Sequence, residues 1–327
     1  MKTTNWIFIA IIGGLAAALL HASVVALTPL AAILFYVAPL PLFIVGLGQG
    51  WIPAAVGAAV GSGALATLWG AKAGLFFLIA TAAGPVILSR LALIHRSATK
   101  AGLEGEASQG NMQWYPEGRL LLWAAALAGV LLTLVIILVG PDAETFQATL
   151  RDWSTKFAEP MFSGIPEGQR SGFTQLVDFI VALAPVASAA AWLVAIMGNL
   201  LLASRMLKAW GLSIRPWSPF SSLTFPRTAA VGLAASCAAS FLPGTAGLIG
   251  SVFAAPLCTA FAILGLAVIH HLLLQHPARV PLLAGLYAAL ILLSWIVLLP
   301  LLVLGVADLG WNLRKRSSPL PPVNRNS

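Results

Sequence analysis

Eight polar or ionisable side chains lie within otherwise apolar stretches of this chain: His21, Gln49, Lys72, Asp178, Asn199, His270, His271 and Asp308. In hydrocarbon such groups are expensive, so each is a functional candidate by default. Most fall near the ends of predicted helices. Lys72 can reach the interface along its own stem, Asp178 sits close to a polar stretch, and Asp308 directly precedes the basic run Arg314-Lys315-Arg316. His21, Gln49 and Asn199 are the candidates for lining a cavity inside the membrane. Asn199 is equally suited to an interhelical hydrogen bond.

Catalytic arrangements are not evident. Gly61-Ser62-Gly63 has the outline of a serine nucleophile turn but sits in a run of small residues at packing spacing. Asp178 and Asp308 lack the flanking residues of an intramembrane aspartyl dyad. No HExxH and no glycine-rich phosphate loop occur, and Gly46-Leu47-Gly48-Gln49-Gly50 follows an apolar helix rather than a strand. Cys237 and Cys258 stand in apolar stretches without metal spacing. The expectation is a protein that is not an enzyme, with no catalytic, cofactor-binding or metal residues and no cofactor.

The strongest recurrent pattern is small residues four apart. Gly14, Ala18 and Ala22 mark one face of the first apolar segment, and Gly57 and Gly61 do the same in the third. Small side chains let helix backbones approach closely where lipid offers no hydrophobic drive for association. The face through Gly14, Ala18 and Ala22 is therefore either internal packing or a docking face for another membrane protein.

The elements that must carry these residues follow from where charge is missing. Over 327 residues the chain is 59% hydrophobic and only 9% charged, against about a quarter charged in soluble domains. No Lys, Arg, Asp or Glu occurs between Lys2 and Lys72, between Arg227 and Arg279, or between Arg279 and Asp308. A spanning helix needs roughly 20 apolar residues, and the blocks predict an all-α, polytopic transmembrane bundle of about eight helices. The partner implied is the lipid bilayer. The net charge of +8 sits in short loops, which speaks for cytoplasmic loops and against nucleic acid.

The chain reads as one membrane domain over 1–327. A first helical group covers 6–94, with spans near 6–25, 28–46, 51–69 and 74–94. Pro39 and Pro41 bend the second, 46–50 forms a flexible turn, and Gly84-Pro85 kinks the fourth. The apolar run from Trp6 continues to Gly48 without a charged break, so it is a retained helix rather than a signal peptide. A cytoplasmic loop, 95–118, leads to a second group, 119–310, containing an acidic external loop at 141–172. The acid-free basic segment 205–227 and the tail 311–327 are cytoplasmic by the same bias. Three apparent spans near 229–241, 248–273 and 280–306 would put that tail outside. Either the piece around Phe241-Leu242-Pro243-Gly244 does not cross fully, or the block around Pro300 folds back.

Several stretches together carry a family resemblance. They are Tyr36-Val37-Ala38-Pro39-Leu40-Pro41 running on to Gly50, Gly84-Pro85 with Ser89-Arg90-Leu91-Ala92-Leu93, and Gly198-Asn199-Leu200 leading to Arg205. Arg215-Pro216-Trp217, Phe225-Pro226-Arg227 and Gly305-Val306-Ala307-Asp308-Leu309-Gly310 complete the set. The chain resembles the bacterial inner-membrane family typified by the YybS proteins, which is in turn similar to the substrate-binding subunits of energy-coupling-factor transporters. The resemblance implies a vitamin- or metal-binding helical bundle in the inner membrane. It also implies docking on a partner through an alanine ladder on the first helix, matched in spacing by Ala18 and Ala22. The extra spans and the acidic external stretch depart from that pattern, and no ligand signature carries over.

The function expected is therefore a multi-pass inner-membrane protein of transporter-subunit type. It binds a small molecule of unknown identity and needs a partner for energy. The alternative is an envelope or assembly scaffold acting through helix contacts. A central polar cavity favours the first, and a solid bundle with a lipid-facing groove of small residues the second.

Overall fold

The computed structural model describes residues 4–26, 28–97, 112–140, 142–162, 170–293 and 295–316. Most of the predicted loop at 95–118, part of 141–172 and the end of the basic tail lie outside them. The chain is a helical membrane bundle, and seven helical units among the described residues are long and apolar enough to cross a bilayer.

The first is α1 (Thr4–Ala22). Thr28 caps α2 (Pro29–Val37) by accepting a hydrogen bond from the Ala31 N–H at 3.1 Å, and proline at the first helical position is preset for a helix start. The chain breaks at Ala38-Pro39, where prolines withhold two backbone donors, and resumes as α3 (Leu40–Gln49). The predicted turn at 46–50 is corrected here. The helix continues through Gln49, and only Gly50 leaves it, with φ 106°. Gly46 and Gly48 instead let Ser89 and Leu207 pack close against α3. The break at Ala38-Pro39 is buried, as irregular backbone at membrane depth must be.

Next come α4 (Trp51–Trp69), α5 (Ala71–Phe77), a π-helical turn (Leu78–Ala82) and α6 (Ala83–Ala92). The irregularity expected at Gly84-Pro85 is this wide turn just upstream. Pro85 has no N–H for the carbonyl of Thr81, and its ring crowds that carbonyl, so the preceding turn opens. A two-stranded antiparallel ribbon, β1 (His95–Ser97) with β2 (Met112–Trp114), then leads to α7 (Glu117–Val139).

The segment predicted as a polar external loop contains α8 (Ala143–Phe162), and α9 (Arg170–Ala209) runs 40 residues. The last third holds α10 (Ala229–Ala239), α11 (Gly244–Leu272), α12 (Arg279–Leu293), α13 (Trp295–Trp311) and α14 (Leu313–Arg316). At 11 residues, α10 is about 16 Å long, too short for a ~30 Å core. It nevertheless connects the basic loop to the start of α11 at the opposite end, where Thr245 accepts a hydrogen bond from the Ala143 N–H.

Two contacts settle the path of the final block. Gly305 packs on Gly265. Further along, Arg314 binds the carbonyls of Ser221 and Leu223 at 3.2 and 2.7 Å, while the neighbouring Phe220 ring stands edge-on to His270. Helices α11 and α13 therefore run the same way and finish at the same end. The block at 280–306 enters from the basic end and returns to it as two short helices, so the tail begins beside the basic loop. The parity conflict is removed without an odd crossing.

Two ion pairs close the basic end. Arg314 chelates the buried Asp308 carboxylate, with Nη2 at 2.6 Å from Oδ2 and Nε at 3.1 Å. Arg215, 3% exposed, donates to Glu117 and to the carbonyls of Ala92 and Tyr115, and lies 4.3 Å above the Trp217 ring. Each arginine ties the loop after α9 to helices that the sequence places far away.

Ser222 and Ser154 lie at opposite ends of this bundle, which makes the charge rule testable. Single cysteines placed there, with Cys237 and Cys258 replaced, should label oppositely with a membrane-impermeant thiol reagent, Ser154→Cys from outside. Labelling of Ser222→Cys from outside would reverse the orientation.

Candidate ligand-binding cavity

The face of α1 that carries Gly14, Ala18 and Ala22 is covered by the chain's own helices. Gly14 lies against the backbone of Gly57, Gly61 against the carbonyl of Gly14, and Ala18 is 4% exposed in a cluster with Leu42, Ala58 and Phe77. Ala22 packs at the edge of the same cluster. Ser62 donates to the Gly74 carbonyl at 2.9 Å, a packing contact between α4 and α5.

A cavity of about 280 Å³ opens on the other side of the bundle, near the end away from the basic loops. Its walls come from α2 (Phe35, Tyr36), from α5 and the π turn (Phe76, Ile79, Ala80), from α7 (Ala128, Leu131, Val135) and from α9 (Ala184, Pro185, Ser188, Trp192). The amphipathic α8 covers part of it. Phe146, Leu150 and Trp153, spaced i, i+4 and i+7, face the cavity, while Glu144, Thr149, Arg151 and Asp152 lie on the helix's remaining surface. Asp142 caps the start of α8, accepting from the Thr145 N–H at 2.8 Å, and that contact holds its carboxyl below the usual carboxylate range. Arg151 pairs with Asp178 on α9 at 2.6 Å, so Asp178 is a tether for α8.

The irregular backbone of the walls is held by single side chains from neighbouring helices. Trp192 Nε1 donates to the Ala80 carbonyl in the π turn at 2.7 Å. The His21 Nδ1 and Thr81 Oγ1 atoms are 2.7 Å apart. Asn199 Nδ2 donates to the Tyr36 carbonyl, one residue before α2 ends, at 2.8 Å. Interhelical hydrogen bonds of this kind are what allow broken helices at membrane depth.

Of the three residues expected to line a cavity, none is on its wall. His21 stands one layer behind, its ring 5.0 and 5.6 Å from Phe35 and Phe76. Asn199 likewise supports the wall from behind, and Gln49 ends α3 at the basic end. The residues that do line the cavity were readable only as apolar helix faces. Two signals pointed to them: the adjacent aromatics Phe35-Tyr36 and Phe76-Phe77, and the i, i+4, i+7 spacing of Phe146, Leu150 and Trp153 inside a segment otherwise judged by its charges.

Among the described residues no acid, base or histidine lines the cavity. A charged ligand would be left without a counter-ion there, which low-dielectric surroundings penalise heavily. Among the described residues there is also no group of three His, Cys, Asp or Glu side chains that could hold a metal ion. The chemistry on offer is aromatic and aliphatic contact, with Tyr36 and Ser188 as the few polar neighbours.

A family model described as a predicted membrane protein (DUF2232) matches residues 14–309. No curated protein and no solved structure matches the chain.

Proposed function

The chain belongs to the DUF2232 family of predicted membrane proteins, and within it we propose a protein that binds an uncharged, largely apolar small molecule inside the membrane. The observation that carries this reading is the aromatic cavity beneath α8. It approaches the size of ordinary ligand sites, about 300–1,000 Å³, and its walls are irregular helices pinned by dedicated hydrogen bonds. Single π-helical turns inside α-helices are frequent at functional sites. A bacterial inner-membrane setting and a transporter-subunit role fit the charge bias and the cavity. The ligand class is narrowed from vitamin or metal to a molecule whose buried part is hydrocarbon or aromatic. The scaffold alternative draws no support from α1, whose small-residue face is already occupied.

Photo-crosslinking in nanodiscs tests this. A diazirine-bearing acyl-chain probe should label peptides containing Phe146–Trp153 and Ala184–Trp192 in preference to the lipid-facing α12. Ala184→Trp, which fills the cavity, should reduce labelling of those peptides severalfold while leaving α12 unchanged. Labelling confined to lipid-facing surfaces and indifferent to Ala184→Trp would refute the reading.

A further inference from the structure

At the basic end a separate recess of about 640 Å³ opens between the last turns of α9 and the segment 213–220. Arg205, Lys208 and Arg215 line it together with Ser204, Ser213 and Trp217, and among the described residues no carboxylate does. Glu117, just outside, accepts from both Arg215 Nη2 and the Ser218 N–H. Arg215 is thus a committed, buried floor, fixed by four partners and the Trp217 ring. Arg205 and Lys208 differ. Both are exposed, and among the described residues neither forms an ion pair.

We propose that this recess binds a phosphate-bearing group through Arg205 and Lys208. A scatter of basic residues would follow from the cytoplasmic bias alone. A concave wall with two uncompensated cations over a rigid floor goes further, because low-dielectric walls focus the potential and raise the local concentration of anions. Arginine and lysine are the usual phosphate ligands, arginine by its fork and lysine as a point charge. Ile214 and Phe220 on the rim are 47% and 37% exposed, an apolar shelf beside the two cations. Basic recesses between membrane helices take acidic lipid headgroups, and a soluble phosphate compound would meet the same two side chains from the aqueous side.

Two arms separate these sources, both on the purified full-length chain. Native mass spectrometry measures retention of phosphatidylglycerol against phosphatidylcholine, and thermal melting measures stabilisation by millimolar pyrophosphate. Each arm compares the unaltered chain with R205Q/K208Q and with R119Q/R227Q, which removes two exposed charges from the same end but outside the recess. Preferential retention of phosphatidylglycerol, lost severalfold in R205Q/K208Q and kept in R119Q/R227Q, supports the site with lipid as source. Stabilisation by pyrophosphate with the same pattern supports it with a soluble source. All three proteins behaving alike in both arms overturns the proposal, as does an equal loss in the two double variants. Should R205Q/K208Q melt early without ligand, the single substitutions R205Q and K208Q carry the comparison.

Discussion

Gly57→Leu should leave little folded protein. A Cβ at Gly57 would stand 2.7 Å from the Ala10 carbonyl oxygen, 3.1 Å from Leu42 Cδ2 and 3.4 Å from the Gly14 nitrogen. Helices α1 and α4 cross at this point with glycine on both sides, since Gly14 in turn meets the Gly57 backbone. Overpacking a core usually costs about 1–3 kcal/mol because neighbouring side chains can rotate away. Here the nearest atom met is a main-chain carbonyl oxygen, so the helices themselves must separate, and the cost belongs at or above the top of that range. Against a total stability of about 5–15 kcal/mol, the melting temperature in detergent should fall steeply and most protein should leave size exclusion as aggregate. Gly63→Leu is the matched control, on the same helix but with nothing within 4 Å, and should behave like the unaltered protein. Equal behaviour of the two would show that the crossing is looser than drawn. Ala18→Leu, on the same face of α1, should lower the melting temperature by a smaller amount whether or not any partner protein is present.

The spans were legible because charge is a strong signal in lipid. The charge-free stretch from Lys2 to Lys72 located α1 to α4, although α3 runs on through Gln49 where a turn was expected, and the paired prolines at 39 and 41 located the break between α2 and α3. What stayed hidden has physical reasons. An apolar residue facing a cavity and one facing lipid obey the same preference, so Phe35, Leu131 and Trp192 could not be told from bilayer-facing neighbours. The acids and bases of 141–172 drew attention from the three apolar residues that dock α8. Polarity makes His21 and Asn199 candidates for a cavity wall; in the structure His21 lies against Thr81 and Asn199 donates to the Tyr36 carbonyl, both one layer behind that wall. The block at 280–306 is long enough for one span or for two short helices that turn back, and composition cannot choose. The choice rests on Gly265 with Gly305, and on Arg314 with the loop, pairings between residues 40 and about 90 positions apart.

Glu117→Ala should be the most damaging single change among the charged residues. Arg215 is 3% exposed and its carboxylate partner about one quarter exposed. Burial lowers the arginine's pKa, and the charge of Glu117 opposes that shift. Removing the carboxylate leaves a guanidinium that has lost its water and its counter-ion together, with carbonyls and the Trp114 and Trp217 rings around it. Breaking one side of a buried pair costs about 3–5 kcal/mol, and the partial exposure of Glu117 places the loss towards the lower figure. The change also strips an acceptor from the Ser218 N–H and a negative charge from the first turn of α7, where the helix dipole favours one. The loop at 210–228 should therefore detach before the helices melt. Chymotrypsin cleavage after Trp217 would report detachment, and the melting temperature the overall loss. The double variant Glu117→Leu/Arg215→Met separates charge from packing. If the harm in Glu117→Ala comes from an orphaned charge, removing that charge as well should restore most of the lost stability. If the loop is held chiefly by the donors Arg215 sends to the Ala92 and Tyr115 carbonyls, the double variant should be no better than the single one, and cleavage after Trp217 should persist.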